Sequence, residues 1–199
     1  MTELNVEKQM QDFLNIARTN ITRDGINGIL EYMCGSDFFT APASTRYHLA
    51  CPGGLCKHSL NVYNRLLKEV AQEYGSVEES PYSLESLTLV SLFHDICKID
   101  FYTEGTRNVK QDGKWVQVPY YTIEEKLPIA HGYKSQYILR SYVNLSREES
   151  IAIMSHMGGF DVTVKGGDQT ISAAMEKYPL ALLLHIADLK ASTLDEKDI

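Results

Sequence analysis

Positive charge is in short supply: 19 Lys and Arg stand against 26 Asp and Glu, a net charge of −7. The chain therefore has no electrostatic footprint for gripping a long nucleic-acid backbone, which normally shows as a basic patch or a high pI. Divalent ions held by some of these carboxylates would offset the charge locally, so small phosphate compounds are not excluded. Cysteine is scarce too, with only Cys34, Cys51, Cys56 and Cys97 in 199 residues. A chain of this length, 44% hydrophobic, needs no disulfide framework. Cys51 and Cys56 could form half of a zinc knuckle, but no second close Cys/His pair completes it, and reduced structural thiols are expected. No stretch approaches the roughly 18 apolar residues of a membrane span. The first residues lack the basic-then-apolar pattern of a secretory signal. Cytoplasmic residence with no membrane partner is the expectation, and no repeat or low-complexity segment breaks the chain.

Hydrophobic periodicity is mostly helical. Val6, Met10, Phe13, Leu14 and Ala17 recur at helical spacing, and so do Ile26, Ile29, Leu30 and Met33, with Thr22 as a candidate cap. Residues 36–55, with two prolines and a Gly-Gly, read as a loop. It delivers His58 to the first turn of a helix running through Tyr63, Leu66, Leu67 and Val70. The next helix starts near Leu84, buries Leu87, Val90 and Phe93, and carries His94 and Asp95 late in its course. On that helix His94 and Lys98 share a face. Between Phe101 and Ile123 the period changes, and Asp112-Gly113 between β-forming arms signals a hairpin. Pro128 suits the first turn of a helix carrying His131. Ser146 to Glu149 reads as a capping box before His156, and Pro179 opens a last helix with Leu182, Leu183, Ile186 and Leu189 as core.

His58, the adjacent pair His94-Asp95, His131, His156 and Asp188 are the residue types of a divalent metal site, with imidazole and carboxylate donors and no required sulfur. Any one of them alone is more often a structural, hydrogen-bonded group. The doublet places a nitrogen donor beside a carboxylate able to bridge two ions. His185, three residues before Asp188, reads as a group that orients its neighbours.

The order His58, His94-Asp95, Asp188 resembles the HD superfamily of metal-dependent phosphohydrolases, and His131 and His156 resemble the expanded ligand set of its binuclear members. Gly53-Gly54-Leu55-Cys56-Lys57-His58-Ser59-Leu60 is similar to the opening of the branch that includes HD-domain 3′-to-5′ exoribonucleases. Leu92-Phe93-His94-Asp95-Ile96-Cys97-Lys98 resembles LxHDIGK, with Cys97 where glycine is usual. The resemblance runs from about His48 to Ser192. It implies an all-α HD-domain helical bundle with a small β-hairpin insertion at about 101–123, as a single domain over 1–199.

On that reading one ion sits among His58, His94, Asp95 and Asp188 and a second among Asp95, His131 and His156. The ions would be one or two of Mn, Fe, Mg, Zn or Ni. Activated water then attacks phosphorus, with Asp95 and Lys98 as catalytic groups. Lys98, Arg46 and His48 are candidates for contacting a small phosphorylated substrate, expected to be a nucleotide, with short RNA as a second option. Lys98 has an ordinary reading as a solvated lysine, and His48 as a group ordering its loop. Tyr102, Trp115, Tyr120 and Tyr121 can stack on bases, although packing of the hairpin onto the helices is the expected role. No region is left over for the additional OB-fold of the exoribonucleases, which favours small substrates or an RNA grip supplied by a partner. Two other readings stay open: an HD-fold di-iron oxygenase, whose ligand order is similar, and a nucleotide-binding regulatory module.

Overall fold

The computed structural model describes residues 4–196. Nine α-helices are formed among them: α1 Val6–Asn20, α2 Ile26–Cys34, α3 Gly54–Tyr74, α4 Leu84–Phe93, α5 His131–Arg140, α6 Arg147–Ser155, α7 Val162–Lys165, α8 Thr170–Lys177 and α9 Pro179–Lys190. A hairpin of β1 Tyr102–Gln111 and β2 Lys114–Ile123 interrupts the helical order between α4 and α5. A short 3₁₀ turn, Ile96–Lys98, follows α4, and a π-helical turn, Ala191–Asp195, follows α9. The chain is thus mostly helical with one small antiparallel sheet. None of its helices is long and apolar enough to cross a membrane, among the described residues.

The centre is α3, which packs against α4 and α9, while α6 covers α9 and α5 covers α6. Beside it, Phe13, Phe38, Phe39 and Phe93 form an edge-to-face cluster with ring centroids 5.2–5.8 Å apart, an arrangement the ring quadrupoles favour. Phe13 and Met33 from the two outer helices are fully buried, as their spacing predicts.

Three local expectations change. Thr22 does not cap α2, whose N-cap is Gly25 at φ 88° without a side-chain bond. Its backbone N–H and hydroxyl instead donate to Glu85 at 2.7 and 3.1 Å. Pro128 lies before α5 rather than in its first turn, since Ala130 is the N-cap and His131 the first helical residue. In α9, Leu182 and Leu189 are 41% and 40% exposed, and Leu180, Ala181, Leu184 and Ala187 are buried alongside Leu183. Pressed by α3 on one side and α6 on another, α9 buries a set that a single apolar stripe does not describe.

The hairpin matches its sequence signal. Asp112 and Gly113 both take positive φ (50° and 82°), the backbone of a two-residue I′ turn, and ten residue pairs run from Tyr102–Ile123 to Gln111–Lys114. Its packing is less than expected. Tyr102 at the base donates to the Ala43 carbonyl at 3.0 Å, whereas Trp115 near the tip is 72% exposed.

An ion pair between half-buried Arg23 and buried Glu149 joins distant segments. Arg23, between α1 and α2, donates from Nη1 and Nη2 to the two oxygens of Glu149 at 2.7 and 2.6 Å. Glu149 also accepts from Ser86 Oγ and closes the capping box with Ser146. Removing one partner of a buried pair strands the other charge, at a cost of roughly 3 kcal/mol. Arg23→Ala is therefore expected to lower the unfolding free energy by about that amount in urea titrations. A loss under about 0.5 kcal/mol would place the pair among ordinary surface contacts.

Candidate metal centre

The six candidate ligands converge at the inner ends of five helices. His58 lies in the second turn of α3, one turn later than expected because the helix already begins at Gly54. His94 and His156 are the C-caps of α4 and α6, His131 opens α5, and Asp188 lies in the last turn of α9. Asp95 is off the helix at φ −108°, ψ 17°. His58, His94, Asp95 and His156 are at most 2% exposed.

Helix α4 ends where it does through a bond that also prepares a ligand. The last carbonyls of a helix have no partner in the next turn. In α4, His94 Nδ1 donates to the Ser91 carbonyl at 2.8 Å, and in α6, His156 Nδ1 donates to the Ile153 carbonyl at 2.7 Å. A carbonyl only accepts, so each Nδ1 carries a proton and each Nε2 is the nitrogen turned inward. His156 Nε2 is buried without a hydrogen-bond partner among the described residues and lies 3.5 Å from Asp95 Oδ1. A buried ring nitrogen without a partner at this depth fits a metal-ligating role.

Asp95 divides the centre. Its Oδ2 lies 3.5 Å from both His58 Nε2 and His94 Nε2. Those two nitrogens are 3.3 Å apart, and His58 Nε2 is 3.2 Å from Asp188 Oδ1. The edge of a tetrahedron with ligand bonds of roughly 2.1 Å is about 3.4 Å, so these atoms stand at coordination spacing. The other oxygen, Oδ1, accepts from His131 Nε2 at 2.6 Å and faces His156. Buried His, Asp, Glu and Cys groups here can hold a metal ion.

Two glycines permit these approaches. A Cβ on Gly132, next to His131, would stand 2.3 Å from the Met154 carbonyl oxygen, so α5 reaches α6 only without one. A Cβ on Gly158 would meet the His185 ring at 2.4 Å. His185 Nδ1 donates to the His156 carbonyl at 2.7 Å, so this imidazole steadies the residue that carries a candidate ligand.

The remaining candidates divide. Lys98 does not share a helical face with His94, because the chain turns into the 3₁₀ segment after Asp95. Its Nζ instead donates to Asp95 Oδ2 and to the Ala43 carbonyl, both at 2.7 Å. It lines the cavity as a fixed, mostly buried cation, and the solvated reading does not hold. His48 also lines the cavity. Arg46 lies outside the cavity walls, exposed and bonded to the Tyr47 hydroxyl at 2.9 Å.

The cavity, about 660 Å³, is walled by His48, His58, Asp95, Lys98, His185 and Asp188 on its polar side. Tyr47, Met157, Phe160 and Leu189 make an apolar wall, with Ser192 and Thr193 between them. Two participants stand outside the expected ligand set. Glu196 is buried against His58, 138 residues away in sequence, at 3.1 Å from its Nδ1. Cys97 Sγ lies 3.3 Å from His131 Nδ1, in a motif where the family resemblance expects glycine.

Electrostatics match the geometry. Burial works to lower the His58 pKa, but Glu196 and Asp188 overrule it and raise it to about 10. His131 reaches about 10 in the same way, burial being outweighed by the Cys97 sulfur and Asp95. His94 falls to about 4, through burial and the neighbouring His156 and His58 imidazoles against the pull of Asp95 and Asp188. Burial works to raise Asp95, yet Lys98, His94 and His131 hold it well below its ordinary value. Asp188 is likewise held down against burial, chiefly by His58.

No protein-family model matches the chain, and neither a curated protein nor a solved structure shows significant similarity to it.

At pH 7, His58 and His131 thus carry protons that a metal ion must displace, while His94 is already neutral. Filling both subsites is expected to release about two protons, and affinity for each ion to rise up to about tenfold per pH unit below pH 10. Calorimetry of Zn²⁺ binding in buffers of different ionisation enthalpy counts those protons. A count near zero would show that both imidazoles are neutral before metal arrives.

Proposed function

We propose that the protein is a metal-dependent phosphohydrolase of the HD kind, acting on a small phosphate ester such as a nucleotide. The observation that carries this reading is the divided carboxylate of Asp95. One oxygen faces His58 and His94, with Asp188 beside them, and the other faces His131 and His156. A carboxylate placed this way suits two neighbouring cations, and the donor set of imidazoles and carboxylates suits Mn, Fe or Zn. The ligand order and flanking words of the HD resemblance agree with it.

A bound divalent ion lowers the pKa of water from about 15.7 towards about 7 and draws charge off phosphoryl oxygens. The side chains set the terms for that chemistry. His58, His94, Asp95 and Asp188 would hold the first ion, and Asp95, His131 and His156 the second. Lys98, clamped between Asp95 and the Ala43 carbonyl, gives the cavity floor a positive charge that costs no ordering when a phosphate arrives. Tyr47, Met157, Phe160 and Leu189 offer an apolar surface to a ring, and the hydroxyls of Ser192 and Thr193 offer hydrogen bonds to a sugar.

A cavity of about 660 Å³ suits a small molecule, since such sites span roughly 300–1,000 Å³. With a net charge of −7 the chain is poorly suited to holding a long nucleic acid.

Asp188→Ala is expected to reduce Mn²⁺-supported hydrolysis of nucleoside monophosphates at least about 100-fold and to weaken metal retention, with helical content unchanged. His156→Ala should lower the metal-to-protein ratio by about one, because losing one ligand of few cripples a subsite. Hydrolysis in the wild-type chain should proceed under anaerobic conditions. Turnover that stops without O₂ and returns with iron would replace phosphate chemistry with oxygen activation.

A further inference from the structure

His58 differs from the other inward imidazoles in what holds it. His94 and His156 each donate Nδ1–H to a neutral backbone carbonyl. His58 Nδ1 faces a carboxylate, Glu196, at 3.1 Å from each of its oxygens. Glu196 is 1% exposed, and a carboxylate at that depth is stable only where donors surround it. It has three: His58 Nδ1, Asn61 Nδ2 at 2.9 Å, and His48 Nδ1 at 2.5 Å. Asn61 is one turn beyond His58 on α3. Its amide holds Oε1, so the carboxylate has a fixed position relative to the ring.

The chain delivers Glu196 by an unusual route. Helix α9 passes into the π-helical turn Ala191–Asp195, which widens the backbone just before Glu196. Asp195 is fastened to Arg65 of α3 by Nε at 2.7 Å and by Nη2. The residue after Asp195 is thereby held over the outer edge of the His58 ring.

We infer that Glu196 is the positioning residue of the metal centre: its carboxylate holds the ring of His58 through Nδ1–H and so leaves Nε2, on the side of Asp95 and Asp188, as the atom that meets a metal ion. The inference rests on the metal reading proposed above. A ligating imidazole backed by a carboxylate is oriented and is a stronger donor than one backed by a neutral carbonyl. His58 is thus a stronger imidazole donor than His94 in the first subsite. Glu196 also ties the centre to the cavity wall, since the same carboxylate holds His48, whose ring centroid lies 4.8 Å from that of His58.

The test uses the full chain with Zn²⁺ as the probe. Glu196→Gln keeps the shape and removes the charge. We expect its Zn²⁺ affinity at the first subsite to fall roughly 10- to 100-fold, while the number of ions bound at saturation is unchanged. In the Zn²⁺-loaded wild type, His58 Nδ1–H should give a downfield proton resonance protected from exchange, and in Glu196→Gln that resonance should shift upfield or broaden. Glu196→Asp, which keeps the charge, should lose less affinity than Glu196→Gln, and it decides the matter if the glutamine variant does not fold. Wild-type affinity in Glu196→Gln, or equal losses in both variants, would overturn the inference and leave Glu196 a packing group at the end of α9. A wild-type chain that binds no Zn²⁺ would overturn the metal reading itself, an outcome separate from a chain that binds Zn²⁺ without regard to residue 196.

Discussion

The buried charge of Asp95 is the constraint around which the helices are arranged. A carboxylate 2% exposed must be compensated in place, because the cost of taking an ion out of water amounts to several kcal/mol. Lys98 supplies one compensation at 2.7 Å and His131 another at 2.6 Å, while His58, His94 and His156 stand at about 3.5 Å. These groups arrive from α3, the end of α4, α5 and α6, with Asp188 of α9 beside them. The inner ends of four helices are therefore gathered around one side chain, with α9 joined to them through the Asp188–His58 contact.

Ligand orientation and helix termination are the same event at two places. The hydrogen bonds from His94 to Ser91 and from His156 to Ile153 satisfy carbonyls that the ends of α4 and α6 leave open, and they also decide which ring nitrogen faces inward. Fraying either helix end would release a ligand, and binding an ion to that nitrogen would oppose fraying. An ion bound at the centre would thus be linked to the stability of the fold through two backbone carbonyls.

Much of the fold was legible because its signals are local. The hairpin turn at Asp112-Gly113, the capping box at Ser146, the opening of α9 at Pro179 and the buried stripes of α1 and α2 each depend on residues within a few positions. The candidate ligands were legible through residue type and order, and they do come together. What escaped depends on distant partners. Thr22 is drawn from its helix by Glu85, 63 residues on. Glu196 is read only beside His58, and Lys98 only once α4 is known to stop before Asp95. Leu182 and Leu189 were misplaced because α9 is packed on two sides, which leaves its apolar pattern without a single direction.

The hairpin carries a practical consequence. Trp115 is the only tryptophan of the chain, and it stands in solvent near the tip of an arm that packs chiefly on itself. Its indole emission therefore begins near the fully hydrated limit in the native state and has little further to shift on unfolding. The tryptophan emission of this chain is a gauge of what touches the arm, and it reports little of the loss of the helical core, which is followed by circular dichroism instead.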